Sequence, residues 1–210
     1  MVKTMRLFMN HVRKLCRPVR HILLTVFVLS GTFLPIPVLA DYEQGVNAAF
    51  NGDYETAFRE FSAAAEGGLD LAQYNLGILY YMGQGVDRNP ELAYHWTLAA
   101  AVQGHTAAQF NLATLLITGD GVEKQADQAI EWYSRAARAG HPYAALELAG
   151  FYDRGDEVER DRVTAHAWAS FAVENEAEEA AELLASIERK LDEQELAKAR
   201  RLFARWKISR

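Results

Sequence analysis

Cysteine is almost absent from this chain: its one thiol, Cys16, lies in a basic N-terminal stretch, and residues 41–210 contain none. That excludes a disulfide scaffold, thiol catalysis and cysteine-ligated metal from the body of the protein. Acid is absent from residues 1–40, which hold six of the 22 Lys and Arg, so the overall net charge of −6 conceals a split. The other 170 residues carry 28 acids against 16 bases, a net charge of −12. A surface this acidic repels phosphate backbones, so nucleic acid is excluded as the expected partner. With 50% apolar and 24% charged residues, the composition is nevertheless that of a globular protein and not of a disordered one.

Catalytic and metal-ligand patterns are missing as well. No His-x-x-x-His, His-Glu-x-x-His or ligand-spaced carboxylate cluster occurs, so no metal, cofactor or catalytic residue is assigned. Of the four body histidines, His105 and His141 each follow a glycine and lie 36 residues apart, which fits turn chemistry better than ligation. His95 and His166 stand beside or near tryptophans and read as surface or packing residues. Gly83-Gln84-Gly85 lacks the third glycine of a dinucleotide loop. Paired acids such as Asp156-Glu157 and Glu178-Glu179 read as solvated faces.

What is present begins with an export signal. A basic segment through Arg20 precedes an apolar run from Ile22 to Leu34, then Pro35-Ile36-Pro37-Val38-Leu39-Ala40 and an abrupt change to Asp41-Tyr42-Glu43. Small residues at Val38 and Ala40 predict cleavage after Ala40. The alternative is an uncleaved anchor, disfavoured by the two prolines at its end. Either way the bases precede the apolar run, which predicts an exported body, periplasmic or secreted, touching membrane only through that segment if it is kept. Met9 would give a more ordinary signal length as the start.

The body then repeats with a period of 36. Ala57, Ala93, Ala129 and Ala165 are spaced by it, as are Trp96, Trp132 and Trp168; Gly68, Gly104 and Gly140; Ala72, Ala108 and Ala144; Leu76, Leu112 and Leu148; Gly83, Gly119 and Gly155; and Val86, Val122 and Val158. Such a period marks units that stack because none can bury its apolar face alone. Within a unit, Ala72, Leu76, Leu79 and Tyr80 define one helix face. Gly83 ends that helix, and Asn89-Pro90 opens a second one as N-cap and first position, burying Ala93, Trp96 and Ala100. Each unit is therefore a helical hairpin, with tryptophan expected between units. Beyond Asn175 the period stops. Two amphipathic helices follow, one carrying Ala177, Ala180, Ala181, Leu184, Ile187 and Leu191, the other opened by an Asp192…Glu195 capping box and carrying Leu196, Ala199, Phe203 and Trp206. They read as a terminal cap. Residues 189–210 hold 8 bases and 3 acids, whereas residues 41–188 hold 8 bases and 25 acids.

Ala72-Gln73-Tyr74-Asn75-Leu76-Gly77-Ile78-Leu79-Tyr80 with Gly83-Gln84-Gly85-Val86, and Trp132-Tyr133-Ser134-Arg135-Ala136-Ala137-Arg138-Ala139-Gly140-His141, resemble the Sel1-like repeat, a relative of the tetratricopeptide repeat. The resemblance covers about residues 42–175. It implies an all-α solenoid of about four hairpins: a tetratricopeptide-like hairpin over 41–68, three Sel1-like repeats over 69–175 and a two-helix cap over 176–210, after a signal over 1–40. The opening unit departs from the pattern, with Gly45, Ala57, Phe61 and Ala64 in tetratricopeptide-like positions and a short Asn51-Gly52-Asp53 turn. In the last unit Glu157 replaces a recurring glycine, which predicts a looser turn.

By the same resemblance the protein is a non-catalytic adaptor whose partner is another protein, an envelope protein or its basic segment. The alternatives are an envelope hydrolase or cell-wall or β-lactam ligand binder, and a passive structural component of an envelope assembly. Some relatives are described as acting on β-lactams, but no Ser-x-x-Lys is present here. If the geometry follows the tetratricopeptide case, the partner lies along the first helices, on Tyr74, Ile78, Tyr81, Met82, Phe110, Thr114, Ile117, Thr118, Tyr143 and Arg154. Tyr81 and Ile117 are the foremost of these, because Tyr80 and Leu116 beside them fill the core position. Tyr74 and Phe110 share a repeat position, for which inter-repeat packing is the alternative. Acidic turns at Asp87, Asp120 and Asp156 would rim the surface and favour a basic segment.

Overall fold

A computed structural model describes residues 36–208. The basic and apolar segments of the expected export signal, with Cys16, lie outside the described residues. Helix α1 (Ile36–Phe50) and α2 (Tyr54–Glu66) form the opening hairpin. Three more hairpins follow: α3 (Asp70–Met82) with α4 (Pro90–Val102), α5 (Thr106–Thr118) with α6 (Ala126–Arg138), and α7 (Pro142–Arg154) with α8 (Arg162–Glu174). Helices α9 (Ala180–Glu188) and α10 (Glu193–Ile208) then pack on α8. Each helix through α8 packs chiefly on its neighbours in sequence, so the protein is an all-α solenoid. No strand occurs among the described residues.

The opening turn is built locally. Asp53 caps α2 by accepting from the Thr56 amide at 3.1 Å, and Gly52 takes φ +80. Gly45 lies beneath Phe61, whose ring would be 2.7 Å from any Cβ there. Helix α1 runs through the Ala40–Asp41 bond, with Pro37 in its first turn, where a missing amide hydrogen costs no helical bond.

The three repeats share one set of backbone devices. Gly83, Gly119 and Gly155 adopt the left-handed conformation at the first helix's end, and their amides reach back to Leu79, Leu115 and Phe151 carbonyls. The turn closes with amides of Asn89, Gln125 and Asp161 donating to Tyr80, Leu116 and Tyr152 carbonyls, each at 2.9 Å. Asn89 caps α4 through the Leu92 amide. The recurring alanines and leucines are sealed: Ala72, Ala108, Ala144, Leu112 and Leu148 have no exposed surface.

Two expectations are corrected and a third is met in part. The turn at Glu157 keeps the length and closing bond of the other two, and Glu157 avoids the positive φ of its glycine counterparts while its carboxylate pairs with Lys124 at 2.8 Å; the bond that the Gln84 and Asp120 amides make to the Leu79 and Leu115 carbonyls has no counterpart from Asp156 among the described residues. Trp96 and Trp132 are only half-buried, with the Arg135 guanidinium over Trp132 at 4.4 Å; Trp168 alone is buried, because the cap covers it. Ala181 faces solvent, and Ala180 takes the buried position.

The cap is as the sequence patterns it. Asp192 and Glu195 exchange amide bonds at 3.0 and 2.8 Å, opening α10. Phe171 is fully buried against the rings of Phe203, at 5.0 Å, and Trp206, which also sits 4.5 Å from Trp168. Polar ties accompany the rings. Asp153, at the end of α7, lies between Lys190 at 2.6 Å and Arg162 at 3.4 Å, and His166 meets Glu188 at 3.1 Å.

Candidate functional site

Helices α3, α5 and α7 carry the residues expected to face a partner, and the structure divides those residues into two groups. The first group is engaged within the stack. His105 and His141 are N-caps: each turns its Nδ1 to accept the Ala108 or Ala144 amide, at 3.1 and 3.3 Å. Tyr74 stacks on the His105 ring at 4.5 Å and Phe110 on His141 at 4.3 Å. The shared position of Tyr74 and Phe110 thus covers the next unit's capping histidine. Burial holds both histidines below the ordinary imidazole range, His141 to about 4. An acceptor Nδ1 requires this neutral form.

Thr114 bonds the Tyr133 hydroxyl at 2.9 Å, and burial pushes that phenol up to about 12. Ile117 packs half-buried between two core clusters instead of standing free. The clusters that cover it draw on neighbouring helices, which the spacing within α5 does not reveal.

The second group is exposed. Tyr81 and Met82 are 38% and 42% accessible at the end of α3, with Ile78 half-buried one turn before them. Thr118 is exposed at the equivalent of Met82, its hydroxyl bonded to the Thr114 carbonyl at 2.8 Å. Arg154 occupies the same position in the third unit, paired with Asp156 at 2.7 Å and lying over Phe151. Tyr143 is half-buried near the His141 ring. Leu71, 40% exposed one turn before Asn75, belongs with this group. Its spacing of seven from Ile78 was the signal that could have found it.

The stripe therefore changes chemistry along the stack, from Leu71, Tyr81 and Met82 through Thr118 to Arg154. Its acidic margin is partly neutralised: Asp120 accepts two bonds from Arg88 at 2.9 and 3.1 Å, and that guanidinium also covers the Tyr81 ring at 5.5 Å. Two concavities lie elsewhere, lined by Tyr152, Val158, Arg160, Asp161 and Glu195 among others, and neither includes a residue of the stripe. Among the described residues no group of three or more His, Cys, Asp or Glu is placed to hold a metal ion.

Comparison with known proteins matches this geometry to one repeat type. The Sel1 repeat family model matches residues 70–105, 106–141 and 142–176, which are the three hairpins that begin at α3, α5 and α7. A Sel1 repeat protein from Oxalobacter formigenes superposes with a TM-score of 0.64 at 29% identity, over 68% of this chain and 59% of that one. A protective antigen of uropathogenic Escherichia coli with an SLR fold superposes with a TM-score of 0.54 at 27% identity, over 80% of this chain and 45% of the other. In sequence, 55 residues are 44% identical to a chitin synthase regulator of Saccharomyces cerevisiae, 26% of this chain but 8% of that protein. The chain thus spans a small part of that curated relative and about half of these solved structures. With three consecutive matched units covering half its length, the chain belongs to the Sel1 repeat family.

Proposed function

We propose that this protein is an exported, non-catalytic adaptor that holds a segment of an envelope protein along the exposed stripe of α3, α5 and α7. Sel1 repeats mediate protein–protein interactions. The observation that carries the site is the exposure of Tyr81 and Met82, with Leu71, on a helix whose Leu76, Leu79 and Tyr80 are engaged in the core and whose Tyr74 lies on a capping histidine. Aromatic and methionine side chains are enriched at interface centres, and a stack of packed helices presents them on a backbone that is already ordered. Export is supported by the basic, apolar and small-residue succession of the first forty residues.

The test is covalent crosslinking in intact cells with tagged full-length protein, followed by mass spectrometry of the captured material, for wild type and for Tyr81→Arg with Thr118→Arg. Thr118 replaces Ile117 as the second position because arginine at Ile117 would disturb the core. The reading expects a protein captured by wild type and lost from the variant. Capture unchanged in the variant would contradict the assigned surface, and retention of the tagged body in the cytosol would contradict export.

A further inference from the structure

The two ends of the stack carry opposite charge, and each end presents a helix face with no partner among the described residues. At the far end α10 packs Phe203 and Trp206 on the core, buries Ala199 and half-buries Leu196. Its opposite face exposes Lys198, Arg201 and Arg205 around Ala197 and Ala204, and ends in Ile208, 87% accessible. The cap's other cations have acidic partners: Lys190 pairs with Asp153, Lys207 with Glu174 and Arg200, at 3.9 Å, with Glu188. Lys198, Arg201 and Arg205 pair with no acid among the described residues.

The near end is the converse. Residues 41–70 hold seven acids and one base, Arg59, which is taken by Glu60 at 2.8 Å. Helix α1 turns Glu43 and Phe50 outward, with Phe50 60% accessible, and Glu55 and Glu66 stand exposed on α2. None of these three glutamates has a basic partner among the described residues. Both faces combine unpaired charge of one sign with an exposed apolar residue.

We propose that the occupant of the α10 face is a second copy of this chain, docked by its α1–α2 end, so that molecules join head to tail. The contact is heterologous: it uses two different surfaces, and each added copy leaves one of each free, which gives a ring where the rotation closes and an open row where it does not. Net charge does not oppose it. At physiological salt, charges more than about 8 Å apart are largely screened, so the local signs at the junction decide, and they are opposite. Charge complementarity also fixes polarity, because two α10 faces or two α1 faces repel. The proposal uses none of the stripe on α3, α5 and α7 and stands or falls separately from the adaptor reading.

The absence of cysteine from residues 41–210 makes the test clean. Full-length chains carrying Cys16→Ser are coexpressed with two different tags, one bearing Glu43→Cys and the other Arg201→Cys, and treated in cells with a permeant bismaleimide. The expected product joins the two tags, with little product when both copies carry Glu43→Cys or both carry Arg201→Cys. Adding Lys198→Glu and Arg205→Glu to the Arg201→Cys copy lowers the yield about fivefold or more, and Glu55→Lys with Glu66→Lys in the other copy restores it. Labelling by a monofunctional maleimide and helical circular dichroism of the purified variants confirm that each thiol is reachable and each chain folded. No mixed product from reachable thiols would overturn the proposal, as would a yield indifferent to charge reversal or capture by Arg201→Cys of a different protein instead of this chain.

Discussion

Successive junctions along the stack have the same backbone and different side chains. Where the opening hairpin meets the first Sel1 repeat, Gln73 donates to the Ala65 carbonyl, and Gln103 bonds both the Gln73 side chain at 2.7 Å and the Gly68 carbonyl at 3.1 Å. Where the first repeat meets the second, Gln109 makes the equivalent bond to Ala101. Residue 139, thirty-six beyond Gln103, is alanine, and the buried Oε1 of Gln109 has no hydrogen-bond partner. Arg88–Asp120 becomes Lys124–Glu157, and Tyr74 on His105 becomes Phe110 on His141. The glycine and helix-cap geometry is held constant, whereas the bridging side chains vary and are not always completed. The end of the stack differs again, since rings and the nearly buried carboxylate of Asp153 replace the next repeat.

The cap is the strongest place to break this arrangement. Phe171→Ala removes a fully buried ring against which Phe203 and Trp206 pack, and is expected to cost about 4 kcal/mol in urea unfolding. Next come the turns. A Cβ on Gly121 would lie 2.1 Å from the Pro90 carbonyl oxygen, and its φ is +78. Gly121→Ala should therefore cost about 3 kcal/mol, combining left-handed strain with a backbone clash. Glu157→Ala at the equivalent position should cost less than about 1 kcal/mol, because it loses only an exposed ion pair. Equal costs at the two positions would refute the claim that the third turn has a different solution.

The histidine caps give a pH dependence of defined sign. The unfolded imidazole takes its proton near its ordinary 6.5, while folded His141 resists it until about 4. The unfolded chain therefore binds more protons between those values, and stability is complete above pH 6.5 and falls as pH drops towards 4. Discounted for the part of the ring that water reaches, the loss is about 2 kcal/mol. His141→Asn, which keeps a capping acceptor without a titrating ring, should make that fall shallower, with His105 keeping its share, at a cost near pH 7 of about 1 kcal/mol for the lost stacking on Phe110. One expected effect is a gain. Ala139→Gln restores the bridge present where the opening hairpin meets the first repeat, satisfies Gln109 Oε1, and should stabilise by about 1 kcal/mol in the same unfolding assay.

Much of this was legible in the sequence, because the features concerned are local or periodic. The 36-residue period placed the hairpins, Asn89-Pro90 and Asp192…Glu195 marked helix starts, and the shared register of His105 and His141 signalled turn chemistry. What was not legible depends on which residue the neighbouring unit supplies. Tryptophan at 96, 132 and 168 reads alike, yet only Trp168 is buried, since the cap alone brings Trp206 against it. Ile117 looks free from the pattern of α5 but is half-covered. Asp153, held between Lys190 and Arg162, shares a repeat position with Tyr81 and Ile117, and nothing in the period signals its role.

The central claim is that folding leaves the outer ends of the first helices free for a partner. It is tested most directly by measuring stability and capture on one variant, Tyr81→Arg with Thr118→Arg. The account predicts unfolding within about 0.5 kcal/mol of wild type, as for exposed positions, together with loss of the captured protein. A loss of stability of about 2 kcal/mol or more, or capture at the wild-type level by the stable variant, would contradict it.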